Sequence, residues 1–487
     1  GTTIQAQAFV VAFRLPNLLR DLVAEGAVTS AFVPVLSWYQ AKGKWEEFWR
    51  LSQALGTRLL ILLCALGWLG MLGAEVIVRL VAPGFVADPE KFALTVRLTR
   101  ILFPFITLVG LWAYLMGVLN SLRHFTMPAL GPAILNLAMI IACVWFVPRT
   151  SPGVVALATG VMIGGVIQLL IQIPVAVRLG FRWRWRWNHP GSQEILRLLG
   201  PRMVGAAVYQ LSVMIDTALA SLGSIVGEGA VAALYYANRL VQLPLAVFGT
   251  ASAQASLPAL SEQAAHKDWA MFRQTLLSVI RMVGFVMLPS AAGLIVLALP
   301  IVGGLFERGA FDHRSTLMTS QALICYALGL LAYALSKVLT GAFYAMRQTR
   351  IPVRLAAEAM AVNVALSVAL MGPFKVGGLA FAAAVSNSLN AYRLLRHLER
   401  QLNAPLVAPV SGALTRMLLA ACVMGAGVWL VWQATAVVEP VWLRLVVAIG
   451  SGVVGYGLAC HLIRVEEMAT AWRWCKKRPF IQPFVGE

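Results

Sequence analysis

Apolar stretches long enough to cross a bilayer, about 20 residues each, recur along the whole chain and leave no room between them for a water-soluble domain. They fall near 4–40 (long and interrupted), 55–82, 94–119, 128–147, 153–177, 195–222, 229–257, 275–305, 316–345, 352–371, 376–396, 410–433 and 441–463, thirteen in all. Hydrophobic residues make up 60% of the 487 and charged residues 12%. Soluble domains run nearer half and a quarter, so a chain this apolar cannot cover its own surface with polar side chains. Lipid must be its main solvent, which excludes a soluble enzyme, a disordered chain and a secreted disulfide scaffold. The fold class is an all-α polytopic membrane protein.

The formal net charge is +19. In a soluble protein that would point to nucleic acid; here it reflects the gathering of basic residues in cytoplasmic loops. With the spans numbered 2 to 14, loops after even spans and the tail hold 21 of the loop Lys and Arg residues, against 6 in loops after odd spans. The even exits are therefore expected to be cytoplasmic.

The chain also resembles itself at a constant offset of 224. Pro34-Val-Leu-Ser37 matches Pro258-Ala-Leu-Ser261; Trp45 and Phe48 match Trp269 and Phe272; Gly117, Arg123, Pro128 and Gly153 match Gly341, Arg347, Pro352 and Gly377. Such duplication predicts two parallel six-helix lobes around a central cavity, the usual place of a transporter's site, plus two extra C-terminal helices. Shifted back by 224, the span at 195–222 falls before Gly1, so a first helix is expected to be missing from this chain, and the full protein is expected to have fourteen spans and a cytoplasmic N-terminus. The expected organisation is 1–180, N-terminal lobe; 181–193, interfacial linker; 194–402, C-terminal lobe; 403–463, helices 13 and 14; and 464–487, cytoplasmic tail.

A charge inside a span costs roughly 2.5–3.5 kcal/mol and needs a reason. On a helix, Arg14, Asn17, Asp21 and Glu25 fall within about 80° of one another, and Arg20 flanks them. Pro16 and Gly26 loosen that helix, as expected of an irregular segment lining a cavity. Tyr235, Asn238, Arg239 and Gln242 share a face in the span at 229–257. Arginines from two halves facing one cavity would suit a phosphate or carboxylate, because the guanidinium fork binds such groups bidentately. Lys337 could join them, or snorkel to the interface. The same charges could instead form a buried lock between helices. Asp216 stands alone among apolar residues, and Asn363 with Ser367, one turn apart, could supply oxygens to a small cation beside it; a hydrogen-bonded structural aspartate fits equally. Glu75 and Glu358 have no evident partner.

The run Arg182-Trp-Arg-Trp-Arg-Trp187 alternates strictly. Extended, it would place three tryptophans on one side and three arginines on the other, an interfacial anchor. The six cysteines are unpaired in spacing and five lie in apolar stretches, so they read as small buried hydrophobes. No phosphate-binding P-loop, H-E-x-x-H or G-x-S-x-G motif is present, and no catalysis is expected.

At residues 7–37 the pattern Leu15-Pro-Asn-Leu-Leu-Arg20, Ala24-Glu-Gly-Ala27 and Ala31-Phe-Val-Pro34 closely resembles the MurJ (MviN) lipid II flippases, of the multidrug/oligosaccharidyl-lipid/polysaccharide exporter superfamily. Ala82-Pro-Gly-Phe85, Tyr235-Tyr-Ala-Asn-Arg-Leu240, Leu257-Pro-Ala-Leu-Ser261 and Gly372-Pro-Phe-Lys375 extend the likeness over nearly the whole length. The resemblance implies fourteen helices, the last two forming a groove for a lipid tail, in the bacterial inner membrane. It implies transport of lipid II, the undecaprenyl-diphosphate-linked muropeptide, by alternating access, with membrane lipids and cell-wall synthesis enzymes as further partners and no nucleic acid. Arg20, Glu25 and Arg239 match the family's functional charges in the cavity, as does Lys337. Asp216 and Asn363 match a sodium site, with Ser367 where a carboxylate is expected. Gln7 and Asn238 stand where aspartate is frequent. No cofactor is implied; Na+ or the membrane potential would supply the energy. A drug or polysaccharide-precursor exporter of the same superfamily and a non-transporting scaffold for cell-wall enzymes are the alternatives.

Overall fold

In hydrocarbon every backbone N–H and C=O must be satisfied within the protein, and continuous apolar stretches achieve this as helices. The computed structural model describes residues 3–20, 32–192, 195, 210–437 and 439–468; among the described residues there is no strand. The helices are α1 (Ile4–Arg20), α2 (Val33–Ala41), α3 (Trp45–Leu72), α4 (Ala74–Val81), α5 (Pro89–Leu102), α6 (Phe105–Ser121), α7 (Thr126–Ile141), α8 (Gly153–Leu170), α9 (Ile173–Arg178) and α10 (Gln210–Ala220). They continue with α11 (Gly223–Val226), α12 (Ala230–Pro244), α13 (Ala251–Ala265), α14 (Trp269–Val296), α15 (Ala298–Phe306), α16 (His313–Leu328), α17 (Leu330–Ala345), α18 (Arg350–Leu402), α19 (Val407–Ala434) and α20 (Val441–Leu462).

Nine helices or helix runs among the described residues are long and apolar enough to span a membrane, and α16 with α17, bent by 46°, makes a tenth. The nine count α18 once. Lys375, at φ 49° and ψ −130°, breaks it into two arms, and Glu358 on the first arm bonds Arg393 on the second at 2.5 Å, so the arms fold back on each other as two spans. A Cβ on Gly378 would lie 2.3 Å from the Leu370 carbonyl; only glycine allows so tight a turn. The stretches at 4–40 and 195–222 are described in part. Bilayer-facing apolar side chains confirm the solvent: Trp68, Leu69 and Leu72 on α3 and Val453 and Val454 on α20 are all more than 60% exposed.

The internal duplication reaches the element boundaries. Shifted by 224, the ends of α3 fall on those of α14, and the starts of α4, α5 and α7 on those of α15, α16 and α18. Asp88 caps α5 by accepting from the backbone of Lys91, and Asp312, its counterpart, caps α16 through Ser315. The positive-φ turn residues repeat as well: Gly43 with Lys267, and Arg123 with Arg347. Lys267, at φ 58°, holds a left-handed conformation that disfavours side chains by about 1–2 kcal/mol, whereas its counterpart is glycine. Lys267→Gly is expected to stabilise the protein by about 1 kcal/mol after the entropy glycine adds to the unfolded chain, checked by thermal unfolding in detergent.

Contacts divide the chain into two compact units, one ending at Ala232 and the other beginning at Ala233. α10 and the turn after it are tied into the first unit, by Arg14 Nη1 donating to Thr217 Oγ1 (2.5 Å), Gly84 N to Ser221 Oγ (3.0 Å) and Lys91 Nζ to Glu228 (3.1 Å). The core of the first unit gathers Phe48, Phe105, Tyr114 and Leu98; the buried Tyr114 hydroxyl donates to the Ser52 carbonyl at 2.6 Å, which removes the penalty of burying it. In the second unit, α14, α19 and α20 pack around Met417, Ala421, Met424 and Tyr456.

Two sequence expectations need correction. Of the five described cysteines only Cys460 is buried; Cys64, Cys143 and Cys422 are exposed, because in a membrane protein an apolar residue can face outward. Glu75 and Glu358 do have partners, Arg79 (2.8 Å) for the first and Arg354 (3.1 Å) with Arg393 for the second; two of these pairs are i,i+4 neighbours that the helical spacing already offered. Cys475 lies outside the described residues.

The turn between α15 and α16 is held by carboxylates. Glu307 is kept below its ordinary 4.5 by a hydrogen bond from Thr316, against partial desolvation, with His313 adding to the effect. Asp312 is kept below 3.8 by the hydroxyl and backbone N–H of Ser315. A lowered folded pKa contributes stability above the unfolded value that is lost as pH falls through the folded one. Amide exchange at 307–316, corrected for its intrinsic rate, is therefore expected to stay flat from about pH 7 to 5 and to rise below about pH 4.

Candidate functional site

Each unit carries polar groups on helices that are otherwise apolar. In the first, α1 runs helically through Pro16 to Arg20. Arg14, half-buried, donates from Nη1 to Thr217 Oγ1 on α10, while that hydroxyl donates to the Val213 carbonyl at 2.6 Å. Thr217 was not singled out from sequence; its place beside Asp216 in an apolar span was the available signal. Asp216, half-buried, also has a bonding partner. Asn17 is half-buried and Gln7 buried. The side chain of Arg20, and Asp21 and Glu25 altogether, lie outside the described residues.

In the second unit, α12 carries Tyr235, Asn238, Arg239 and Gln242. Arg239 is exposed, donates to the Tyr235 hydroxyl at 3.1 Å, and has its guanidinium 5.1 Å from the centroid of that ring. Asn238 and Gln242 are half-buried on the same helix. After Pro244 the chain makes a π-helical turn, Leu245–Thr250, before α13. Such an insertion rotates everything beyond it and is common at functional sites. Here it brings Thr250 to Lys337 on α17: Lys337 Nζ donates to Thr250 Oγ1 at 2.8 Å. Lys337 is exposed and hydrogen-bonded to a neighbouring helix, an interaction the interfacial alternative did not include. Spacing could not have paired them, because an unbroken helix turns Thr250 elsewhere.

Of the residues expected to hold a small cation, Asn363 and Ser367 lie in the second unit and Asp216 in the first. Asn363 and Ser367 are buried one turn apart on the first arm of α18, and the Ser367 hydroxyl has no hydrogen-bond partner among the described residues. Within this unit they offer an amide and a hydroxyl, both neutral; Asp216 belongs to the other unit. No group of three or more His, Cys, Asp or Glu assembles among the described residues. A cavity of about 430 Å³ lies elsewhere, at the end of α18 beside Arg396, Glu399 and Arg400.

Exposed cations on apolar helices, each oriented by a hydroxyl, can bind an anionic group and reject a neutral one. The family model described as "Lipid II flippase MurJ" matches residues 1–450. This chain belongs to the lipid II flippase MurJ family. The Burkholderia cenocepacia lipid II flippase MurJ is 34% identical over 407 residues, 82% of this chain and 78% of the relative. Among solved structures, a lipid II flippase MurJ in an inward closed conformation shares the fold at TM-score 0.79, covering 94% of this chain and 92% of its own, at 24% identity. A multidrug resistance MATE family transporter of the MOP superfamily shares it at TM-score 0.69 and 13% identity, covering 83% and 95%.

The family motifs divide by what their residues do here. Tyr235–Leu240 carries Arg239 and the tyrosine that orients it. Gly372–Lys375 is the turn of α18. Ala82–Phe85 is structural: Gly84 lies against Ser221 and Leu222, and Phe85 is buried beneath Lys91, whose Nζ is 4.3 Å from the ring centroid.

Proposed function

We propose that this multi-pass membrane protein moves lipid II across the cytoplasmic membrane, with Arg239 and Lys337 of the second unit recognising its diphosphate. It is a transporter and not an enzyme: no bond is made or broken. Arg239 is the observation that carries the reading. A guanidinium set in a long apolar span, exposed and oriented by Tyr235, is costly to keep there without an anion to serve, and a diphosphate matches its fork. Asn238 and Gln242, on the same helix as Arg239, offer neutral hydrogen bonds to the sugar. The prenyl tail stays in lipid throughout.

Movement follows alternating access, in which the states must differ in affinity for the headgroup. The membrane potential acts on these charges at about 2.3 kcal/mol per charge per 100 mV and supplies that difference. The test is complementation: a strain depleted of its own flippase should resume growth and expose lipid II on the outer leaflet when the full-length protein is expressed. Growth arrest despite normal membrane insertion would refute the reading.

A further inference from the structure

Residues 181–189 form neither helix nor strand and run beside the first turns of α3. Phe181 is buried against Trp49 and Tyr114 and fixes one end. Gln53 Nε2 donates to the Arg182 carbonyl at 2.8 Å, Arg186 N to Thr57 Oγ1 at 3.4 Å, and Arg58 Nη2 to Asn188 Oδ1 at 2.8 Å. At the other end the buried His189 bonds Glu47 at 2.9 Å. The strap is thus tied down through its backbone and its flanks, which leaves the alternating side chains to the surface. Trp183, Trp185 and Trp187 are 38%, 64% and 57% exposed, and Arg182 and Arg184 are exposed.

Its depth follows from α3. Ile61, Leu62, Leu66, Trp68, Leu69 and Leu72 present apolar side chains outward, so hydrocarbon begins near Ile61. The strap meets α3 at Gln53, Thr57 and Arg58, the last turns before that level, where headgroups lie. Tryptophan favours this layer, and guanidinium groups bind phosphate bidentately. We infer that the Arg182–Trp187 strap is a binding site for anionic phospholipid headgroups, with Arg182, Arg184, Arg186 and Arg58 facing the phosphates and the tryptophans seated at the acyl boundary. A merely apolar anchor would need the tryptophans and gain nothing from the arginines between them. Each basic residue near the surface strengthens attraction to an anionic leaflet about fivefold. The inference does not depend on lipid II being the cargo.

The test is done without lipid II, on the full chain in nanodiscs of phosphatidylcholine. A low mole fraction of lipid brominated on its acyl chains is added, either phosphatidylglycerol or phosphatidylcholine. Strap emission is the difference between the unaltered protein and the variant Trp183→Phe, Trp185→Phe, Trp187→Phe. Brominated phosphatidylglycerol should quench it at least about threefold more than brominated phosphatidylcholine. Arg182→Gln, Arg184→Gln, Arg186→Gln should abolish the preference, and the three lysine replacements should keep most of it. Arg184→Gln alone, at an exposed position, should weaken it even if the triple variant does not fold. Equal quenching by the two lipids in the unaltered protein, or a preference unchanged in the glutamine variants, would overturn the assignment.

Discussion

Replacing Arg239 with alanine is expected to lower lipid II translocation by about 10–100-fold, the loss of a hydrogen-bonded charge pair worth about 1.5–3 kcal/mol. Arg239→Lys keeps the charge but not the planar fork, so it should fall between the two. Tyr235→Phe removes the hydroxyl that holds the guanidinium at 3.1 Å while leaving the ring beneath it; a loss of about threefold is expected, in step with one neutral hydrogen bond. Arg239 is exposed, so these changes should leave the amount of folded protein unaltered. Leaflet exposure of lipid II per folded molecule is the measurement. Activity of Arg239→Ala equal to that of the parent would remove this residue from the site.

The largest structural effect is expected at Gly84. A Cβ there would lie 2.0 Å from the Ser221 carbonyl oxygen and 2.8 Å from the Leu222 Cα, so what must move is backbone on both sides. The same approach allows Gly84 N to donate to Ser221 Oγ, and beside it the buried Lys91 reaches Glu228, whose own side chain is largely exposed. Gly84→Ala should cost about 3 kcal/mol, the upper range for overpacking, and should lower the unfolding temperature of the full protein by several degrees. Gly341→Ala is the contrast. Its Cβ would meet nothing within 4 Å within α17, and the gain in helix propensity predicts up to about 1 kcal/mol of stabilisation. Equal unfolding temperatures for both variants would show that the approach of Gly84 to Ser221 is not close in solution.

The helices were legible because lipid imposes a simple rule: an apolar run of the right length has to be a helix. The duplication was legible because both copies keep the same caps and turns, down to Asp88 with Asp312 and Arg123 with Arg347. Arg239 with Tyr235 could be read from i,i+4 spacing. Lys337 with Thr250 could not, since the π-helical turn resets the angular count between Arg239 and Thr250. Arg14 with Thr217 and Lys91 with Glu228 join residues more than a hundred positions apart, and a single sequence holds no signal for such pairs. Likewise, the place of Glu358 depends on the α18 turn that brings Arg393 to it. The cysteines misled because apolar surroundings in sequence were equated with burial, which holds in water and fails in lipid.

On the proposed function, cations in apolar spans serve a lipid-linked diphosphate. The most direct measurement reconstitutes the purified full-length protein in proteoliposomes that contain lipid II, and follows its transfer between leaflets by accessibility to a reagent that cannot cross the membrane. Transfer should be faster than in protein-free vesicles and should be slowed by Arg239→Ala, with phosphatidylcholine transfer unaffected by either. A rate equal to that of empty vesicles, or transfer of lipid II that is indifferent to Arg239, would contradict it.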